Sequence, residues 1–197
     1  MSPIMDDLSG IDTRLGDRIR GARLSQNLSL DGLAERSGVS RAMISKIERA
    51  ESSPTAALLG RLCAGLGISL ASLFEKEAQR GAPLSRAAEQ PVWRDPATGY
   101  LRRDVAPRGT GSPIEIVDVT FPPGARVTFD RPWTSRGSDQ HVWLFEGRLE
   151  LTVGDTTHVL EAGDCLHMRL DRTITYHNPT DRPIRYAVVL MLEPPRA

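Results

Sequence analysis

The stretch LSLDGLAERSGVSRAMISKIERAESSP, residues 28–54, decides the fold of the N-terminal half. Leu30, Leu33 and Ala34 recur at the spacing of one helix, and Met43, Ile44 and Ile47 at that of another. Ser29 and Ser40 stand just before these runs, where a hydroxyl caps the free N–H groups of a first turn. Ala34 is small enough to let two helices cross closely. Gly38 adopts at little cost the positive φ that the turn between them needs. With Leu33, Val39, Ile44 and Ile47 as the apolar lock, residues 30–49 are predicted to form a helix-turn-helix.

The helical period extends on both sides. Leu15, Ile19, Ala22 and Leu24 fit a preceding helix. Leu58, Leu59, Leu62 and Leu66 fit a following one behind Thr55, and Leu70, Leu73 and Phe74 a short fifth behind Ser69. Gly67 falls where the chain must reverse. The N-terminal unit is therefore expected to be a five-helix domain over residues 11–76. Between Arg14 and Arg49 eight bases face four acids, a local surplus of four in a chain of zero formal net charge. Such a surplus suits contacts with phosphate.

This unit resembles the Cro/CI, or XRE, family of phage-repressor-like DNA-binding domains. The resemblance implies a double-stranded DNA operator as partner, with the second helix of the motif, Ser40 to about Glu48, entering the major groove N-terminus first. It carries groove-facing roles onto Ser40, Arg41, Ala42, Ser45 and Lys46, with Met43 divided between core and groove. Arg41 suits a guanine edge, Ala42 a thymine methyl, and Lys46 a base or a phosphate. Gly32 departs from the acidic residue that closes a capping box in many relatives, a loss of up to about 1 kcal/mol for that helix.

Near residue 77 the pattern changes. Residues 77–97, with Pro83, Pro91 and Pro96, read as a linker. Beyond Gly99, short alternating runs are broken by Pro122-Pro123-Gly124, Glu146-Gly147, Gly154-Asp155 and Ala162-Gly163. They predict strands at 100–105, 114–121, 125–129, 140–145, 148–153, 156–160, 164–168, 174–178 and 184–191. Many short strands at regular spacing point to a closed or double-sheet β fold.

The segments LFEGRLELTVGD (144–155), HVLEAGDCL (158–166) and YHNPTDRPIRYAVVLM (176–191) resemble the cupin frame. The resemblance implies a double-stranded β-helix, or jelly-roll, barrel over residues 98–197. The chain as a whole is then an α+β multidomain regulator. Metal-binding cupins place two histidines, a glutamate and a further histidine where this chain has Thr134, Arg136, Gln140 and Ile174. No metal and no cofactor are therefore expected. Strand parity turns His141, His167 and His177 outward, away from Gln140, Val142 and Leu144, while His158 shares the parity of Leu160.

Trp133, Arg136, Gln140 and Tyr176 are the expected lining of a pocket for a small-molecule effector, the arginine suiting an anion. His141, Trp143 and Phe145, on the opposite parity, are a candidate homodimer face. Three functions compete: a ligand-responsive regulator, foremost a repressor; a metal-dependent cupin oxidoreductase carrying a DNA-binding domain; and a DNA-binding dimer with a purely structural barrel. The first is favoured, with no enzyme activity. Cys63 and Cys165 lie too far apart in the chain to suggest a disulfide framework, and Cys63 falls on an apolar stripe. With no signal-like start and no apolar run of membrane length, a cytoplasmic setting and no membrane partner are expected.

Overall fold

The computed structural model describes residues 8–74, 81–130 and 139–191. The first segment holds α1 (Leu8–Ser25), α2 (Leu30–Ser37), α3 (Arg41–Glu48) and α4 (Ala56–Leu66). The caps form where the hydroxyls predict them. Ser29 Oγ accepts from Gly32 N at 3.0 Å, Ser40 Oγ from Met43 N at 3.3 Å and Thr55 Oγ1 from Leu58 N at 3.3 Å. Gly38 and Gly67 end α2 and α4 in the left-handed region, at φ of 67° and 65°.

The expectation of five α-helices is corrected to four among the described residues. The fifth segment, Ala71–Phe74, is one 3-10 turn closed by Leu73 N donating to Leu70 O. Four residues are too few for successive i→i+4 bonds to offset the cost of nucleating a helix. A second correction concerns α1. Its inward stripe runs Leu15, Ile19, Arg23, whereas Leu24 is exposed. Gly16 allows α1 to approach α3 closely, since a Cβ there would stand 2.5 Å from Ile47 O.

The second half forms two antiparallel sheets that face each other. The strands are β1 (Val92–Arg94), β2 (Leu101–Asp104), β3 (Ile114–Phe121), β4 (Arg126–Phe129), β5 (Asp139–Glu146), β6 (Arg148–Val153), β7 (Thr156–Glu161), β8 (Cys165–Arg169), β9 (Ile174–His177) and β10 (Ile184–Met191). One sheet has the order β1-β2-β3-β10-β5-β8 and the other β4-β9-β6-β7. Nine of these strands coincide with the predicted runs to within about two residues at their ends. The tenth, β1, lies in the stretch read as linker. It pairs with β2 through Val92 opposite Arg103 and Arg94 opposite Leu101. Pro91 and Pro96 flank it, which an edge strand tolerates.

Asn178 ties the sheets together at the end of β9. Its buried amide donates to Phe121 O, Pro122 O and Arg182 O, and its Oδ1 accepts from Thr180. Aromatic rings then connect the barrel to the helices. Phe74, at the end of the 3-10 turn, meets Trp93 of β1 at 5.9 Å, and Trp93 meets Tyr100 at 5.7 Å. Tyr100 packs on Phe121, Phe121 on Tyr186, and Tyr186 stacks on Tyr176. The helical and β units thus share a continuous packed contact rather than meeting through a linker alone.

Candidate nucleic-acid interface and barrel cavity

α3 is held by one face and free on the other. Ile44 and Ile47 are buried, and Met43 is half-buried against the same core. At its C-terminal end Glu48 accepts two hydrogen bonds from the Arg23 guanidinium, Nε to Oε1 at 2.7 Å and Nη2 to Oε2 at 2.8 Å. Both side chains are buried. The hydrogen bonds from Arg23 to Glu48 raise the arginine pKa further against the opposing effect of burial. Arg23 and Glu48 therefore leave the pool of charges facing solvent, and the surplus of four is carried by the other bases.

Ser40, Arg41, Ala42 and Lys46 form the exposed side of α3 and its cap. Arg41 Nε lies 3.6 Å from Asp31 Oδ1 with both side chains largely in solvent, a weak tether that leaves the guanidinium available. Ser45 is half-buried and its hydroxyl accepts from Arg49 Nη1 at 2.5 Å. The face so formed is short, cationic and fixed in orientation by the buried pair behind it.

The barrel holds a partly open cavity of about 60 Å³. That is room for about two waters. Gln140 and Tyr176, two of the four residues expected there, do line it, and Gln140 Nε2 donates to Tyr176 Oη at 2.7 Å. Trp133 and Arg136 lie outside the described residues, as does Thr134.

The cavity holds a different arginine, Arg102 of β2, which is 8% exposed. Its Nη2 stands 3.2 Å from Asp104 Oδ1, and Asp104 also pairs with Arg108. Alternation along 100–105 puts Tyr100, Arg102 and Asp104 on one side of the strand, so this inward arginine was open to detection from parity alone. Burial pushes the Tyr176 hydroxyl up to about 12, against the lowering effect of Gln140, and pushes Tyr100 and Tyr186 up as well. All three stay protonated donors at neutral pH.

One wall belongs to the helical unit, where Leu70 lines the cavity. Around it Ser69 Oγ donates to Glu115 Oε1 at 2.7 Å, and the Arg102 guanidinium lies 5.8 Å from the centre of the Phe74 ring. A wider recess of about 230 Å³ adjoins, sharing Glu115 and Val117 and bordered by Asp104 and Arg108.

The described lining of the cavity does not supply a ligand set for a catalytic metal. Among the described lining residues the donors are phenols, an amide and the single carboxylate Glu115, with no imidazole. Ile174, at the place of a ligating histidine in metal cupins, is a buried apolar wall. His141 and His167 stand on the outer face of the six-stranded sheet with ring centroids 4.9 Å apart, and His177 bonds Glu150 on the four-stranded one. Cys63 is buried under the 3-10 turn, where loss of solvent pushes its thiol up and leaves it inert. No helix among the described residues is long and apolar enough to cross a membrane.

Two family models match the chain, one described as Helix-turn-helix at residues 19–73 and one as Cupin domain at residues 117–191. The chain is similar to the HTH-type transcriptional regulator SutR of Escherichia coli, 27% identical over 172 residues that cover 87% of this chain and 91% of that protein. It is also similar to the transcriptional regulator ClgR of Mycobacterium tuberculosis, 34% identical over 74 residues, 38% of this chain and 66% of that protein. In three dimensions it superposes on an HTH_3 family transcriptional regulator from Vibrio cholerae with a TM-score of 0.78. That match covers 94% of this chain and 99% of the other at 22% identity, a likeness of fold.

Proposed function

Because the chain is a helix-turn-helix transcriptional regulator of the XRE type that carries a cupin domain, we propose that it is a sequence-specific repressor. In this reading the barrel senses a small molecule without a metal and performs no catalysis. The observation that carries the DNA-reading half is the single exposed face of α3. Arg41, Ala42 and Lys46 project from it while Ile44, Ile47 and the Arg23–Glu48 pair fix the opposite side. A fixed helix presents donors to a major groove without first paying an ordering cost. Arg41 would read a guanine, Ala42 a thymine methyl, and Lys46 a base or phosphate, with Ser40 and Ser45 nearby.

The sensing half rests on the cavity. It is partly open, lined by a few polar groups in an apolar wall, and bordered on one side by Leu70 of the DNA-binding unit. A ligand there touches the unit that reads DNA, which is what a regulated repressor requires. Two copies joined through the barrel would set two reading helices about 34 Å apart on a palindrome.

The test is a genome-wide map of bound DNA followed by affinity measurements on the recovered operator. Arg41→Ala should weaken binding by about 1–3 kcal/mol and relax preference at one base pair. Lys46→Ala should weaken binding too, and if its contact is to phosphate it should lower the salt dependence as well. Wild-type affinity in both variants would remove α3 as the reading helix. Transcription from the operator with the protein present and absent decides the sign of regulation.

A further inference from the structure

Resting on that sensing role, we propose that the barrel effector is a small carboxylate, anchored by Arg102 at the joint between the two domains. Among the described residues the Arg102 Nε is buried and has no hydrogen-bond partner. Asp104 Oδ1, the nearest counter-charge, is likewise without a hydrogen bond although it stands 3.2 Å from Arg102 Nη2. The ion pair is close but misaligned, and it leaves a guanidinium edge unused inside the protein. Buried arginine donors without partners are costly, and a ligand acceptor that reaches Nε removes that cost.

The rest of the lining agrees. Tyr100, Tyr176 and Tyr186 are neutral phenols at physiological pH, able to donate to an anion. Tyr176 Oη already accepts from Gln140, so its own proton is left to donate outward. Glu115, the carboxylate at the rim, is occupied by Ser69 Oγ. The remaining walls, among them Val119, Phe121, Val127 and Leu190, are apolar. A charged head beside Arg102 and a short carbon tail among these side chains match this distribution.

The site also explains how occupancy reaches the DNA-binding unit. The face of Phe74 lies 5.8 Å from the Arg102 guanidinium, and Leu70 lines the same cavity. A carboxylate on Arg102 neutralises the charge that holds Phe74 and fills the space beside Leu70.

The experiment uses the full-length protein with acetate, propionate and pyruvate, each compared with its uncharged amide. Calorimetry measures binding, and fluorescence anisotropy measures the affinity for the recovered operator. The expected result is that at least one acid binds, that its amide binds at least about tenfold more weakly, and that the acid changes operator affinity. Arg102→Gln should weaken the acid by at least about tenfold. Tyr186→Phe, which keeps the ring stack, should weaken it by a smaller factor and guards against a folding defect in the arginine variant. Amides that bind as tightly as the acids and shift operator affinity would overturn the carboxylate assignment while leaving sensing intact. Acids and amides that all fail to bind would overturn this site altogether.

Discussion

Asp95, on the barrel side, caps a helix of the DNA-binding unit: its Oδ1 accepts from the buried Ala56 N, the first residue of α4, at 2.8 Å. The other oxygen accepts from Thr98 N at 2.9 Å and Thr98 Oγ1 at 2.6 Å. The residue is 1% exposed. A buried carboxylate is tolerated there because it meets three donors and the positive end of a helix. Asp95→Ala strands Ala56 N–H and Thr98 N–H, and should cost about 2–3 kcal/mol. It should also split one chemical unfolding transition into two, since the two units lose their shared bond. A single transition at the wild-type midpoint would show that the units are coupled by other contacts and that this bond adds nothing.

The Arg23–Glu48 pair makes a sharper prediction. Both side chains are buried, so removing one partner leaves the other charge without compensation. Arg23→Ala should destabilise the chain by about 3–5 kcal/mol. Arg23→Met combined with Glu48→Leu should recover most of that loss, because an apolar pair avoids the desolvation cost. Denaturant melts of the three proteins decide the matter. A double variant as unstable as the single one would mean that the pair positions α3 by geometry that hydrophobic packing does not replace.

How far the sequence reaches is visible in these residues. The caps, the Gly38 turn and the parity of Gln140, Val142 and Leu144 were legible because each depends on local chemistry or a fixed period. Arg23 was countable as a surface base only while its partner, 25 residues away, was unknown. Its spacing from Leu15 and Ile19 carried the signal that it faces inward. The domain joint was hidden for another reason. Trp93 and Asp95 lie between Pro91 and Pro96, in a stretch without a period, and their roles come from contacts with Phe74 and Ala56. Arg102 lay in a correctly predicted strand, and its parity with Tyr100 carried the signal that it faces inward.

Acid sensitivity should trace to Asp118 on β3. Partial burial pushes its carboxyl up, but hydrogen bonds from Arg185 and Arg103 outweigh that and hold it below the usual carboxylate range. A carboxyl whose folded pKa is depressed contributes stability that is present above its unfolded value of about 3.9 and is lost as pH falls through the folded one. Urea unfolding from neutral to acid pH should show stability declining below about pH 5. Asp118→Asn should be less stable at neutral pH and show a shallower decline. An unchanged slope in the variant would assign the acid transition to other carboxylates.

The outer face of the six-stranded sheet predicts the assembly. Trp143 is 50% exposed, and Ile114, Ile116 and Met191 on neighbouring strands are exposed too. The register sets Ile116 in line with Val189 and His141, and Ile114 with Met191 and Asp139, while Trp143 lies one row along the same face, in line with Ala187 and Asp118. A cluster of this kind on an open sheet is a candidate contact for a second copy of the chain, as palindromic DNA reading would need. A fragment starting at Ala97 would lose β1 and the Asp95 cap, so the full chain is the proper object of study. Trp143→Glu with Ile116→Glu should convert a dimer to a monomer at micromolar concentration, with the mass in solution measured by light scattering. The same change should weaken operator binding while leaving α3 intact, because one reading helix then loses the second as a tethered partner. A double variant that remains dimeric would move the interface off this sheet, and a wild-type chain that stays monomeric on its operator would remove the dimer.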